Sequence, residues 1–149
     1  MTPDRHRGFT LIEILVAMAI MVSVYAMTAP MISAGLSGVQ IKAAARQVAS
    51  GLRKARNEAV AHKNEVALTI DVEARQFALS GDKRIHHFSQ EIDVSLYTAQ
   101  SELLDAKVGT IRFYPDGSST GGRVTLTRGE RKYMVDVDWM TGRVKILDR

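Results

Sequence analysis

The chain of 149 residues contains no cysteine. No disulfide can brace its fold, and the redox compartment cannot be read from thiols. The chain also lacks a large excess of either charge: 20 Lys+Arg against 16 Asp+Glu leaves +4, too mild by itself to demand a nucleic acid. Histidine is rare, and its only cluster is His86-His87, with Glu91 four residues beyond. Neighbours on a strand point to opposite faces, so the pair cannot face one ion, and zinc needs three or four held ligands. Neither a metal nor a cofactor is expected. The glycine loop near residue 120 lacks the strand–GxxxxGK[ST]–helix context of a phosphate cradle. Asp116-Gly117-Ser118-Ser119 offers hydroxyls, but no pattern places a base beside them. It reads as a turn whose side chains bond local backbone. No catalytic residue emerges, and the chain is not expected to be an enzyme.

What the chain does have is the stretch from Arg5 to Pro30, RHRGFTLIEILVAMAIMVSVYAMTAP. A basic leader precedes an almost unbroken apolar run. A helix from Phe9 to Ala29 spans ~31 Å at ~1.5 Å per residue, against a bilayer core of ~30 Å. The run is predicted to cross a membrane once, over residues 9–30, with the basic leader on the cytoplasmic side. No A-x-A-like site follows it, as a secretory signal peptide would require. Glu13 is the anomaly. A carboxylate within an apolar helix costs roughly 2.5–3.5 kcal/mol on insertion scales and is functional by default. Cleavage between Gly8 and Phe9 would create an α-amine one turn from Glu13, able to neutralise it in the same chain or a neighbour.

Residues 31–38 are small and glycine-rich and read as a flexible junction. From 39 to 63 the spacing predicts a second, amphipathic helix. Ile41, Ala45, Val48, Leu52, Ala55 and Ala59 recur at intervals of four and three, an apolar stripe on one face. The alanines imply close approach of a β-sheet. Lys42, Arg46, Arg53, Lys54 and Asn57 fall on other faces and read as solvated. Residues 64–149 are predicted as an antiparallel β-domain. Strands are expected at 65–72, 76–79, 83–88, 92–97, 110–114, 123–127, 132–139 and 143–147, and 98–107 is read as a polar loop. The last forty residues read as a four-stranded meander, and the outer half of the helix is expected to pack on one sheet. Arg123, Arg128, Arg131, Lys132, Arg143, Lys145 and Arg149 crowd the C-terminal third, but Glu130, Asp136, Asp138 and Asp148 are interleaved. A mixed-charge sheet exterior is favoured.

Gly8-Phe9-Thr10-Leu11-Ile12-Glu13 resembles the class III signal of type IV pilins and type II secretion pseudopilins. The resemblance implies removal of a leader, residues 1–8, by a prepilin peptidase, and N-methylation of Phe9. It makes Glu13 the fifth residue of the mature chain, guiding subunit docking in a filament. Pro30 falls where many pilins carry a helix-bending proline.

The C-terminal half also resembles this family. Ile111-Arg112-Phe113-Tyr114-Pro115-Asp116-Gly117-Ser118-Ser119-Thr120-Gly121-Gly122 is similar to the F-x-P-D-G-S-S-T-G-G signature of H-type minor pseudopilins. Gly142-Arg143-Val144 resembles the G-R-V that closes their domain, and Leu52–Val60 resembles the end of their helix. The implied fold is α+β and type IV pilin-like, a long N-terminal helix packed on an antiparallel β-domain. The implied role is a structural subunit near the tip of the pseudopilus. It would lie in the bacterial inner membrane with its domain in the periplasm, beside the I, J and K minor subunits and the G-type major subunit. Asp116, Gly117, Ser118, Gly121 and Gly122 form a candidate contact loop. The same domain type serves type IV pilus minor pilins, which prime assembly or bind DNA for uptake. Those often carry a cysteine pair, which this chain lacks.

Overall fold

The computed structural model describes residues 9–105 and 107–148, without the side chains of 27–37 and 101. Gly8 and the side chain of Pro30 therefore lie outside the described residues. Two compact units divide the chain, 1–37 and 38–149, and each is taken by itself.

In the first unit, helix α1 begins at Leu11; it ends in the second unit, at His62. Thr10 caps it. The Glu13 N–H donates to Thr10 Oγ1 at 3.4 Å and lies 3.1 Å from the Thr10 carbonyl, the Thr-x-x-Glu start signature of a helix. Side chains from Phe9 to Ala26 are all exposed, Leu11 and Tyr25 at 79%. A helix apolar all round is normally a buried one, and none of the described residues of this unit buries it. Among the described residues no helix is long and apolar enough to cross a membrane. The described side chains stop at Ala26, inside the 9–30 span. The backbone is helical through 31–38, where the sequence suggested a junction.

The second unit holds one hydrophobic core. The stripe Ile41, Ala45, Val48, Leu52, Ala55 and Ala59 is 0% exposed throughout, as its spacing predicts. Among the described residues nine strands follow it: β1 (Val66–Asp71), β2 (Gln76–Leu79), β3 (Ile85–His87), β4 (Asp93–Thr98), β5 (Leu103–Asp105), β6 (Val108–Phe113), β7 (Gly122–Arg128), β8 (Arg131–Val137) and β9 (Val144–Asp148). They form two antiparallel sheets, ordered β3-β2-β1-β6-β5 and β4-β7-β8-β9. Leu68, Ile70, Phe77 and Ile111 from the first sheet meet Val124, Leu126, Val135 and Val144 from the second in the core beneath the helix.

Three expectations are corrected here. The C-terminal meander has three strands rather than four, because β6 pairs with β1 in the other sheet, Leu68 opposite Ile111. The eight residues 114–121 are too many for a tight hairpin and carry the chain across. The fourth place beside β7 goes to β4, Leu96 opposite Val124. The helix accordingly packs on two sheets. Residues 98–107 are more than a loop: a 3-10 turn, Gln100–Glu102, leads into β5 on the edge of β6. Glu102 is 7% exposed, accepts from Thr110 Oγ1, and meets Arg112 Nε at 3.3 Å. That buried charge is paired, as burial requires.

The flanks of the helix meet the two sheets. On one side Gln47 bonds His86 at 2.8 Å and Lys54 meets Asp82 at 2.8 Å. Arg84 and Lys54 together hold the Asp82 carboxyl well below the usual carboxylate range. On the other side Arg53 donates to the Val144 carbonyl at 3.4 Å. Gly51 lets the strands come close, since a Cβ there would sit 3.2 Å from Phe77. At Gly38 a Cβ would collide with the Arg131 guanidinium.

Candidate functional sites: the N-terminal turn and two clasped loops

The first candidate site is the N-terminal turn. Phe9 is 81% exposed, and Glu13 is exposed in the first turn of α1. Glu13 therefore sits near the start of the helix with its carboxylate unburied by this chain.

The second is the glycine loop, residues 114–121. Gly117 N–H donates to the Tyr114 carbonyl at 2.9 Å, and Tyr114 N–H to the Ser118 carbonyl at 3.0 Å. Asp116 Oδ1 accepts from Ser118 Oγ at 2.6 Å and from Ser118 N–H at 2.9 Å. Those two bonds lower the Asp116 pKa, the hydroxyl first. Gly117 has φ +86 and Gly121 φ +71, conformations in which L side chains are strained. At Gly122 a Cβ would sit 2.9 Å from the Tyr97 carbonyl.

This loop is fastened to the β8–β9 turn. Ser119 N–H donates to the Trp139 carbonyl at 2.8 Å, and Ser119 Oγ donates to the Asp138 carbonyl at 3.1 Å. Ser119 Oγ also accepts from Gly121 N–H at 3.1 Å. Asp138 in turn accepts from Thr141 N–H and Oγ1, both at 2.8 Å, which holds its carboxyl below the usual range. Arg56 Nε, from the helix, donates to the carbonyls of Gly117 and Thr141, each at 3.1 Å. A Cβ on Gly142 would collide with the Gly117 carbonyl.

The motif residues Asp116, Gly117, Ser118, Gly121, Gly122 and Gly142 are thus brought together with Arg56. The hydroxyl and amide of Ser119 and the Oδ1 of Asp116 bond within the fold. Arg56 is the residue that sequence reasoning passed over. The signal was available, because it lies in the helix-end stretch that resembles the family, four residues after Leu52.

The remaining candidates are dispersed. His86 stacks on Phe77, ring centroids 4.9 Å apart, while His87 is exposed. Among the described residues no group of three His, Cys, Asp or Glu is placed to hold a metal. In the basic C-terminal third, Arg123 pairs with Asp136 at 2.9 Å and Arg128 with Glu91.

Residues 44–142 match the family model described as Type II transport protein GspH. The chain belongs to this family. Residues 3–24 match the prokaryotic N-terminal methylation motif. The "Type II secretion system protein H" of Xanthomonas campestris pv. campestris is 30% identical over 141 residues, 93% of this chain and 82% of that protein. Among solved structures, the minor pseudopilin EpsH from the Type 2 Secretion System of Vibrio cholerae superposes with a TM-score of 0.58 at 13% identity. It covers 73% of this chain and 97% of that one. The type IV minor pilin FimU of Pseudomonas aeruginosa gives 0.54 at 12% identity, over 71% and 91%. At such identities these two likenesses show the fold alone. As a member of the GspH family the chain is a minor pseudopilin, a structural subunit.

Proposed function

We propose that this GspH-family chain is a subunit at or near the tip of a type II secretion pseudopilus. The observation that carries this reading is the coincidence of two matches on one chain, the GspH model over 44–142 and the methylation motif over 3–24. In this account a prepilin peptidase cuts after Gly8, and the new Phe9 amine is methylated. Residues 9–30 hold the chain in the inner membrane, and the β-domain stands in the periplasm. The exposed apolar helix supports that reading, because its side chains need a bilayer or other helices to cover them. The Phe9 amine and Glu13 then offset each other's burial, within one chain or between neighbours. Partners in the account are the I, J and K minor subunits and the G-type major subunit.

The fold shared with FimU supports a second reading, a type IV pilus minor pilin that primes assembly or takes up DNA. The 30% identical relative favours secretion. The intact mass of the chain extracted from membranes tests the processing step. Expected is a chain beginning at Phe9 and carrying one added methyl group. A mass that retains residues 1–8 overturns that step.

A further inference from the structure

The glycine loop contains a peptide bond with chemistry of its own. Gly117 follows Asp116, and no other glycine in the chain follows an Asp or Asn. A residue without a Cβ leaves its amide nitrogen open to the preceding carboxyl, so an Asp-Gly pair is prone to close into a five-membered imide. In that step the Gly117 nitrogen attacks Asp116 Cγ and a C–N bond forms. The carboxyl hydroxyl leaves and takes the amide proton, so one water is lost. Water then opens the ring. When it cleaves the bond between the Asp116 backbone carbonyl carbon and the Gly117 nitrogen, the chain runs on through Cγ and the α-carboxylate is free. The product is an isoaspartyl linkage of unchanged mass.

The fold holds both reacting groups elsewhere. Asp116 is exposed and meets water, whereas Gly117 is buried. The Gly117 N–H donates to the Tyr114 carbonyl at 2.9 Å. Attack consumes that N–H, so it costs that bond. Asp116 Oδ1 accepts from Ser118 N–H at 2.9 Å and from Ser118 Oγ at 2.6 Å, and ring closure draws the carboxyl away from both. These two bonds also favour the carboxylate, whereas the imide forms from the acid. Arg56 Nε fixes the Gly117 carbonyl at 3.1 Å, and Gly142 lies against the same oxygen. The Ser118 carbonyl accepts from Tyr114 N–H at 3.0 Å and closes the turn.

We infer that Asp116–Gly117 is a site of spontaneous aspartate isomerisation that the Arg56 clasp holds shut. The β-linkage adds one carbon to the main chain between Tyr114 and Ser118, whose mutual bonds close the turn, so an isomerised loop does not return to the clasp. Opening followed by isomerisation is irreversible and marks a chain whose domain has loosened.

The test incubates the full detergent-solubilised chain at neutral pH, folded and in urea. A protease that cuts before aspartate but not before isoaspartate then reports position 116, and a protein-isoaspartate methyltransferase labels the same product. In urea, isoaspartate is expected at position 116, and Asp116→Glu is expected to remove it. In the folded chain it is expected to form at least about tenfold more slowly. Arg56→Ala leaves Asp116 and Ser118 in place and is expected to raise the folded-state rate about fivefold or more. If that variant loses its protease resistance, Arg56→Lys serves in its place and is expected to give a rate between wild type and urea. Ile41→Ala lies about 22 Å away along the helix and costs a comparable amount of stability. It is expected to leave the rate unchanged. Equal rates in the folded and urea-treated chain overturn the inference, as does a urea-treated chain without isoaspartate at position 116. A wild-type rate in the folded Arg56 variant also overturns it. So does an equal rise in Ile41→Ala, because general stability and not the clasp would then protect the bond.

Discussion

Arg56 Nε lies 3.1 Å from the Gly117 carbonyl and the same distance from the Thr141 carbonyl, so one helical side chain fastens two turns far apart in sequence. Gly142 completes the arrangement by leaving room for the Gly117 carbonyl. The glycines of the loop and the G-R-V after the turn are therefore parts of one clasp.

Gly142→Ala is expected to destabilise the chain by about 2–4 kcal/mol, from a left-handed φ of +59 and a collision with Gly117. Gly129→Ala shares the left-handed φ but points into open space, and should cost only about 1–2 kcal/mol. Urea unfolding of the solubilised chain measures both. Equal losses would contradict the clasp.

Arg56→Ala should cost about 2–3 kcal/mol, because it leaves two carbonyls without their charged donor. Arg56→Lys should recover only part of this, since a flexible ammonium does not hold one N–H fixed between the two carbonyls as the Arg56 Nε–H does. The same unfolding measurement checks both variants. Full recovery by Lys would mean that charge alone suffices.

Stability should fall with acid through Asp116 and Asp138. Both carboxyls titrate below their ordinary value in the folded chain, Asp116 through Ser118 and Asp138 through Thr141. A depressed folded pKa gives stability that is present above the unfolded pKa, ~4, and lost as pH falls through the folded one. Unfolding midpoints measured from pH 7 downward should therefore drop below about pH 4. Asp116→Asn with Asp138→Asn should lessen that drop without removing it, because the Asp82 carboxyl, held low by Arg84 and Lys54, contributes over the same range. An unchanged slope in the double variant would remove the two carboxyls as its source.

At the N-terminus, Gly8→Val is expected to block processing and Gly8→Ala largely to spare it, read as mature mass. Glu13→Val should still insert and be cleaved but should co-purify poorly with other subunits. Undiminished co-purification would argue against the charge pair.

Much of this architecture is legible in the residues. The stripe from Ile41 to Ala59 is a 3.6-residue period, and Val94 and Leu96 or Val124 and Leu126 alternate by two; both are local signals. The pairing of β6 with β1 is not local. Ile111 and Leu68 are 43 residues apart, and nothing in either strand names its partner. Leu103–Asp105 is too short to show a period, and Glu102 looks like any surface acid until Thr110 and Arg112 close over it. Arg53 and Lys54 read as solvated charges for the same reason, since their acceptors at Val144 and Asp82 arrive from other strands. The motif loop was visible as a motif. Its attachment to Arg56 was not, because a helical arginine gives no sign of which carbonyls it will meet.

The most direct test of the central claim is the distribution of a secreted protein between medium and periplasm after deletion of this gene, with a wild-type copy restored in parallel. The account predicts that the secreted protein accumulates in the periplasm and that the restored copy returns it to the medium. Unchanged release into the medium would contradict it and turn attention to the type IV pilus.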